Sequence, residues 1–319
     1  MPRLRHTLKK SQRNIPMPTL IFSKWSPGGN TTLLFPSAGI APSLQSRLAR
    51  QALSESCLGG EQAGYVDASG PSLRMAGGEF CVNASRALGA MLACDDDCLK
   101  QPDDISCHCP SCVPLPQAAD GRAGATPSAD ALEMQRFYEV SVSGWPSPVQ
   151  LHVRGRAPHW RVEARLRLPE ITIQRKAEGI HLVRLPGISH LLLDGQIHNQ
   201  PEDCYTAAAL LRERHELEQE EAVGVIWWRV LQGQLGMLPL VHVRDTRTDF
   251  LESACGSGAL ALALSHAQAD KGNSFSIMQP SGSPLDVRLF SENGVSMAGV
   301  DGPVTLVAKG QIWLPDMTD

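Results

Sequence analysis

The sequence predicts an α+β fold in which a few helices pack on or inside curved sheets. Segments of strand character predominate, with β-branched and aromatic residues in partial alternation between Gly, Pro or Asn. Four segments have the pattern of helices instead. Strands and helices do not alternate along the chain, which excludes a Rossmann-type nucleotide-binding domain. The length of 319 residues predicts two domains, each with its own core.

The predicted elements follow one another from the amino-terminal end. Strands are bounded by turn residues, and the helices are the longer segments, two of which begin at a cysteine followed by small residues. In chain order they are strands Thr19–Ser23 and Thr31–Phe35, helices Ser43–Ser56 and Cys81–Ala93, strands Val149–Arg154, Arg161–Leu168, Ile171–Arg175 and Ile180–Leu185, helix Cys204–Glu220, strand Val223–Leu231, helix Cys255–Asp270 and strand Val304–Leu314.

Composition divides the chain further. We expect residues 1–16 to be a disordered extension, because their basic stretch is followed by no apolar segment and is not a secretory signal. Residues 94–130 form an insert whose first half is rich in Cys and Asp and whose second half is rich in Pro, Ala, Gly and Ser. We predict one domain over residues 17–140, completed by a final strand within 303–319, and a second over residues 141–302.

Charge and cysteine usage limit the partners and the compartment. The formal net charge of −4 gives no electrostatic reason to expect a nucleic acid or an anionic membrane as partner, and no apolar run is long enough to span a bilayer. Nine cysteines without an export signal favour reduced thiols in the cytoplasm over a disulfide framework. The sequence leaves a homodimer open.

The two halves of the chain share a weak repeat. The stretch at 27–34 (PGGNTTLL) is echoed at 186–193 (PGISHLLL), and the stretch at 79–85 (EFCVNAS) is echoed at 253–259 (SACGSGA). Both echoes occur in the same order. We therefore predict a duplicated domain whose halves face each other across a pseudo-twofold axis.

Cys81 and Cys255 are the candidate catalytic residues, because each begins an Ala-rich helix and is followed by small residues. The open N–H groups and the dipole of a helix start favour an anion, and they are expected to lower the pKa of a nearby thiol toward neutrality. Two such starts, facing each other, could hold a small carboxylate between two sulfur atoms. One thiolate and one thiol on opposite faces of an amino-acid Cα would invert it without a cofactor.

At these residues the sequence resembles the diaminopimelate epimerase-like superfamily. Residues 254–259 (ACGSGA) match the signature of that family, and residues 81–84 (CVNA) resemble its CGNG motif with two glycines replaced. Gly29-Asn30 resembles the substrate-binding turn of the family, and residues 282–313 resemble its closing strands. The resemblance implies two β-barrel-like domains, each around one central helix, with the active site between them and no pyridoxal phosphate or metal in the reaction.

Within that superfamily, the chain resembles the histidine racemases of opine-type metallophore pathways. The resemblance lies in residues 22–32, 61–65, 77–81, 243–248 and 252–255. The GNPH turn of diaminopimelate epimerases is here Gly187-Ile188-Ser189-His190, and their ERG element is replaced by Asp245-Thr246-Arg247. These changes remove polar contacts that a substrate with two amino-acid ends would need. The resemblance implies L- and D-histidine as substrates and the following residues as substrate-binding: Asn30, Val82, Asn83, His190, Asp245, Thr246, Gly256 and Ser257.

Two alternatives stay open beside histidine racemisation. The first is diaminopimelate or hydroxyproline epimerisation in the same fold. The second is a non-catalytic metal-binding or redox-sensing protein that uses the Cys-rich insert. That insert offers five thiols at spacings that leave open a structural zinc site or a reduced loop without metal: Cys94, Cys98, Cys107, Cys109 and Cys112.

Overall fold

The computed structural model describes residues 19–67, 69–100, 135–269 and 271–313. The described residues form sixteen strands and four helices. The helices are α1 (Pro42–Leu53), α2 (Val82–Lys100), α3 (Cys204–Arg214) and α4 (Gly256–Gln268). The strands are β1 (Thr19–Pro27), β2 (Thr32–Pro36), β3 (Gln62–Asp67), β4 (Ser72–Met75), β5 (Gln135–Val142), β6 (Val149–Arg156), β7 (His159–Arg167), β8 (Thr172–Ala177), β9 (Ile180–Leu185), β10 (Ile188–Asp194), β11 (Ala222–Leu231), β12 (Gln234–Val243), β13 (Thr248–Leu251), β14 (Ser274–Met278), β15 (Pro284–Glu292) and β16 (Val295–Trp313).

Eight strands close into a barrel around α2. Strands β1 to β7 lie side by side in chain order, and β16 pairs with both β7 and β1, which joins the two edges. Helix α2 contacts each of the eight strands. From Val82 to Ala93 its residues are apolar or small except Asn83 and Arg86, as expected for a helix enclosed by a sheet. At Gly89 a side chain would lie about 3.2 Å from Leu151 and Val153, so a glycine lets helix and sheet approach.

The same long strand continues the sheet into the second half of the chain. From β16 the order runs through β15, β14, β12, β11, β10 and β9 to β8, with β13 paired to the side of β12. Helix α4 packs against β9, β10, β14, β15 and β16 and also contacts α2. The largest buried cluster joins both helices to both parts of the sheet. The predicted α+β class, with barrel-like sheets around central helices, is confirmed.

Several predicted boundaries need correction. Helix α2 continues through residues 94–100, which were assigned to the insert, so Cys94 is a buried helix residue. Helix α3 ends at Arg214 and not at Glu220, because the chain turns at Glu216 with a positive φ of 56°. Strand β16 begins nine residues earlier than predicted. Because all sixteen strands form one sheet, the division into residues 17–140 and 141–302 stays a prediction.

The extension at residues 1–16 and most of the Cys-rich insert lie outside the described residues. None of the helices described, α1 to α4, has the length and apolar character that crossing a bilayer requires. Among the cysteines whose side chains the structure describes, Cys57, Cys81, Cys204 and Cys255 are free thiols.

Candidate active site

The starts of α2 and α4 meet in the interior and bring Cys81 and Cys255 to one site. Cys81 directly precedes α2 and is 9% exposed, and Cys255 is the N-cap of α4 and is 3% exposed. The side chain of the N-cap residue makes no capping hydrogen bond to the free N–H groups of α4. A Cβ at Gly256 would lie 2.8 Å from the Cβ of Val82, so the two helix starts touch. The predicted pair of facing helix starts is therefore present.

The thiol of Cys81 lies between a helix start and an amide side chain. It donates a hydrogen bond to Gln62 Oε1 at 2.8 Å. The N–H of Ala84, in the first turn of α2, donates to the sulfur at 3.3 Å. The sulfur atom thus has a neutral acceptor on one side and a backbone donor on the other.

Cys255 has a different set of partners. Its Sγ lies 3.6 Å from Ser257 Oγ, which in turn lies 3.0 Å from Nε2 of His190. The carboxyl group of Glu252, three residues earlier in the chain, is close enough to this thiol to raise its pKa. The backbone N–H of Cys255 donates to Gln279 Oε1 at 2.9 Å. Unlike Cys81, this thiol therefore has an ionisable acceptor beside it.

The peptide group before Cys255 is held by residues of the first barrel. The carbonyl oxygen of Ala254 accepts hydrogen bonds from Asn30 Nδ2 at 3.1 Å and from Asn83 Nδ2 at 2.8 Å. Asn83 is itself oriented by the fully buried Arg86, whose Nη1 donates to Asn83 Oδ1 at 3.2 Å. Asn30, between β1 and β2, and Asn83, in the first turn of α2, thus hold the peptide group before the second cysteine.

A narrow cavity of about 30 Å³ lies between the two helix starts. Its wall is apolar apart from three glutamates, one glutamine and a few hydroxyl and amide groups, and no Arg, Lys or His is among the lining residues. The lining residues are Leu53, Glu61, Gln62, Ala63, Ala76, Glu79, Phe80, Cys81, Asn83, Ile188, Val241, Val243, Thr246, Thr248, Phe250, Glu252, Cys255, Gly256 and Ser257.

Burial dominates the electrostatics of both thiols. It raises the pKa of Cys81 well above its ordinary value of 9.0, and the charge of Glu252 adds to the increase. Burial and the same carboxylate raise the pKa of Cys255. The expectation that the helix starts lower these pKa values is wrong for the ligand-free site, because N–H donors do not offset the loss of water. Without a ligand, both cysteines are thiols at neutral pH.

Burial also raises the pKa values of carboxyl groups at the cavity. Burial raises the pKa of Glu79 from 4.5 to about 7, although the N–H of Gly77 hydrogen-bonds its carboxylate at 2.9 Å. Burial, with the nearby charge of Glu61, raises the pKa of Glu252 to about 8. Glu252 is therefore protonated or deprotonated by small changes of its surroundings near neutral pH.

The structure brings some of the predicted substrate-binding residues into the cavity and leaves others outside. Those that line it are Asn83, Thr246, Gly256 and Ser257. Val82 packs in the core, and Asn30 lies behind the wall with its amide held by Glu61 and Ala254. The side chain of Asp245 is 57% exposed and 3.7 Å from Arg244, so its predicted contact with substrate is not supported.

His190 lies behind Ser257 and does not reach the cavity. It is fully buried, burial lowers its pKa to about 3, and its Nδ1 has no partner among the described residues. A Cβ at Gly224 would lie 2.2 Å from that nitrogen, so a glycine is required beside it. His190 is therefore a neutral imidazole that hydrogen-bonds Ser257.

The predicted zinc site receives little support from the described part of the chain. Among those residues, no three side chains of His, Cys, Asp or Glu form a group suited to a metal ion. Cys94 is buried in α2, with Lys309 Nζ 3.6 Å from its sulfur. The side chain of Cys98 and all of Cys107, Cys109 and Cys112 lie outside the described residues.

Sequence reasoning missed four polar residues that hold the cysteines. Gln62 and Glu252 contact the two thiols, Gln279 binds the N–H of Cys255, and Arg86 orients Asn83. The available signal was a polar residue in an otherwise apolar strand or helix, as at Gln62 and Arg86. Such a pattern indicates that the polar residue has a buried partner, but it does not show which residue that partner is.

A family model and two curated relatives that match this chain are all described as histidine racemases. A family model described as the histidine racemase CntK N-terminal domain matches residues 19–108 and 119–313. A histidine racemase of Fusobacterium nucleatum is 26% identical over 301 residues, which cover 92% of this chain and 97% of that protein. A histidine racemase of Staphylococcus aureus is 21% identical with the same coverage.

Solved structures with the same fold are more distant in sequence. A hydroxyproline epimerase from Agrobacterium vitis, crystallised with trans-4-hydroxy-L-proline, superposes with a TM-score of 0.59 at 10% identity over 94% of both chains. A PhzF-family phenazine biosynthesis protein of Bacillus anthracis gives 0.57 at 9% identity, over 93% of this chain and all of that one. These two likenesses establish the fold alone.

Proposed function

The chain belongs to the family of the histidine racemase CntK N-terminal domain, and we propose that it interconverts L- and D-histidine through Cys81 and Cys255. Membership makes the protein an isomerase, an amino-acid racemase or epimerase. The observation that carries the proposal is the meeting of the two cysteine-led helix starts at one cavity. The two relatives named histidine racemase support the choice of substrate.

In the proposed reaction, one cysteine thiolate removes the Cα proton and the other thiol donates a proton to the opposite face. The substrate carboxylate lies against the open N–H groups at the starts of α2 and α4, where the helix dipoles favour a negative charge. As the Cα proton leaves, charge flows into that carboxylate. The same N–H groups then stabilise the transition state more than the ground state.

The reaction requires a thiolate, which burial disfavours. Two contributions lower the free energy of forming it. The α-ammonium of the substrate brings a positive charge into a cavity lined by three carboxyl groups, and an opposite charge nearby favours the thiolate. At Cys255, Glu252 can accept the thiol proton. That transfer moves the proton from sulfur to a carboxylate oxygen, so the net charge of the pair does not change.

The cavity wall favours a substrate with a single amino-acid end and a side chain that is not an anion. The lining residues include three glutamates and no Arg or Lys, so a second carboxylate would have no cationic partner. Ile188, which replaces the asparagine of diaminopimelate epimerases, contributes apolar surface there. An imidazole satisfies both conditions, since it is neutral or positively charged.

Diaminopimelate and hydroxyproline are the alternative substrates. The first requires contacts for a distal amino-acid centre that the wall does not offer. The second fits an epimerase fold but has only fold-level support. A non-catalytic metal-binding or redox-sensing role does not require both helix-leading cysteines, and both are present at the cavity.

The proposal is tested by incubating the protein in D₂O with single L-amino acids. NMR follows loss of the Cα–H signal, and chiral chromatography follows the D-enantiomer. We expect exchange and D-isomer formation with histidine and neither with LL-diaminopimelate or trans-4-hydroxy-L-proline. Turnover of either alternative substrate without turnover of histidine would overturn the proposed specificity.

The wider context extends the same proposal. Family resemblance supports D-histidine as a building block supplied to the assembly of an opine-type metallophore. A cytoplasmic location and a homodimer stay predictions.

A further inference from the structure

Gln62 is placed where it can control the protonation of Cys81. It begins β3, is almost fully buried, and lines the cavity beside the first helix start. Its Oε1 accepts the hydrogen bond of the Cys81 thiol at 2.8 Å. No role was assigned to it from the sequence.

The orientation of the Gln62 amide is fixed by its neighbours. Its Nε2 donates to Asn30 Oδ1 at 2.6 Å and to Thr32 Oγ1 at 2.8 Å. Asn30 is fixed in turn because its Nδ2 donates to two groups, a carboxylate oxygen of Glu61 at 2.9 Å and the carbonyl of Ala254 at 3.1 Å. A carbonyl can only accept, so exchanging the O and N atoms of Asn30 would break this bond. The series of amides therefore presents an oxygen, and not an N–H, to Cys81.

An acceptor at this position favours one state of the sulfur atom. A thiol donates to Oε1, whereas a thiolate would face an oxygen lone pair across 2.8 Å. Gln62 also has no ionisable group, so it cannot take the proton. Glu252, the corresponding acceptor beside Cys255, can. The group beside Cys255 can therefore take up a proton, whereas the acceptor beside Cys81 cannot.

We propose that Gln62 is the positioning residue that keeps the proton on Cys81 in the substrate-free enzyme. The enzyme then holds its acid at Cys81 and, once substrate binds, forms its thiolate at Cys255, where the Glu252 carboxylate receives the proton. Because it assigns the two thiols their starting states, this inference rests on the proposed two-cysteine mechanism. The same amides connect Cys81 through Asn30 to the carbonyl before Cys255, so they also fix the distance between the acid and the base.

Two substitutions separate this role from simple packing. In Gln62→Glu, a protonated carboxyl keeps the acceptor and one of the two donated hydrogen bonds of the amide, since its C=O accepts and its single O–H donates. Burial raises the pKa of such a carboxyl, so we expect activity near that of the wild type at about pH 5.5 and a loss by about pH 8.5. In Gln62→Met, neither function remains. We expect kcat/KM to fall by about 10²-fold at every pH, the scale caused by a misplaced catalytic group.

Labelling without substrate gives a readout that needs no turnover. Iodoacetamide alkylation, resolved by peptide mass spectrometry, measures the rate at Cys81 relative to the exposed Cys57. In Gln62→Glu at alkaline pH, the negative charge beside the thiol should slow alkylation of Cys81 by roughly tenfold or more. A residue that only contacts substrate would alter KM and leave this rate unchanged.

Gln45→Met provides the matched control. Gln45 is also a buried glutamine, it lies in α1 outside the cavity wall, and its Oε1 has no partner among the described residues. This variant should keep the wild-type kcat/KM and the wild-type rate at Cys81.

Each result decides the inference. A Gln62→Met enzyme with wild-type kcat/KM, or a Gln62→Glu enzyme whose activity relative to wild type does not change with pH, would overturn it. If wild-type protein does not racemise histidine, the proposed function fails, while the alkylation rates still test the control of Cys81. If either variant does not fold, the other decides.

Discussion

Gly256 at the start of α4 lies against Val82 at the start of α2, with room for no side chain between them. A Cβ at position 256 would be 2.8 Å from the Cβ of Val82 and 3.0 Å from Asn83 Oδ1. Neither atom can move far, because Val82 is fully buried and Asn83 is held by Arg86. The glycine after Cys255 therefore sets the separation of the two cysteines.

Gly256→Ala should separate the helix starts and reduce activity more than stability. We expect kcat/KM to fall by about 10²-fold, and the free energy of unfolding to fall by about 1–3 kcal/mol. Steady-state kinetics and urea denaturation measure the two effects. Gly70→Ala is the control, because a Cβ there meets no atom within 4 Å. An active Gly256→Ala enzyme would show that the spacing is not critical.

Glu79 should make the protein less stable as pH rises. Its folded-state pKa of about 7 lies above the ordinary value of 4.5, so the folded state binds the proton more tightly than the unfolded chain. The corresponding stability is present below pH 4.5 and is lost as pH rises through 7, a change of about 3 kcal/mol.

Urea denaturation of Glu79→Gln at several pH values measures this contribution. An uncharged amide at position 79 should remove most of the decline in the free energy of unfolding between mildly acidic and neutral pH. The decline that remains is the contribution of Glu252. An unchanged decline would mean that Glu79 is not the group that titrates.

Metal removal should leave catalysis intact. In the proposed mechanism, Cys81 and Cys255 remove and return the Cα proton with no metal, so dialysis against a chelator should not reduce the rate of racemisation. If the Cys-rich insert holds zinc, chelation should instead lower the melting temperature, because a structural metal contributes folding free energy. Activity that depends on added metal or pyridoxal phosphate would refute the mechanism.

Oxidation should join the two catalytic thiols. Sulfurs that flank one small substrate are within reach of a disulfide after a modest closure of the site. We expect activity to fall in air, to return with a thiol reductant, and to be protected by bound substrate. Because burial raises the pKa of both thiols, the loss should accelerate with rising pH. Peptide mapping should find a Cys81–Cys255 crosslink, and crosslinks confined to the insert would contradict the facing geometry.

The sequence predicted the parts of the site that are encoded locally. A cysteine followed by small residues and an Ala-rich segment describes a helix start by itself, and this is where Cys81 and Cys255 lie. The extent of β16 was underestimated, because its pairing with β7, β15 and β1 extends the strand beyond its local apolar pattern.

Contacts between distant residues could not be predicted in the same way. Gln62 meets Cys81 across 19 residues, and Asn30 meets Ala254 across 224 residues, so neither pair leaves a spacing pattern. The direction of the thiol pKa shifts was wrong for a related reason. The helix start is visible in the sequence, but the depth of burial that outweighs it depends on both halves of the sheet.

The most direct test of the two-cysteine mechanism gives each enantiomer of histidine separately to Cys81→Ser and Cys255→Ser in D₂O. Serine is too weak an acid to form an alkoxide near neutral pH, so each variant should fail to racemise but retain one base on one face. One variant should therefore exchange the Cα–H of L-histidine only, and the other that of D-histidine only. Racemisation by either variant, or exchange of both enantiomers by one of them, would contradict two bases on opposite faces of Cα.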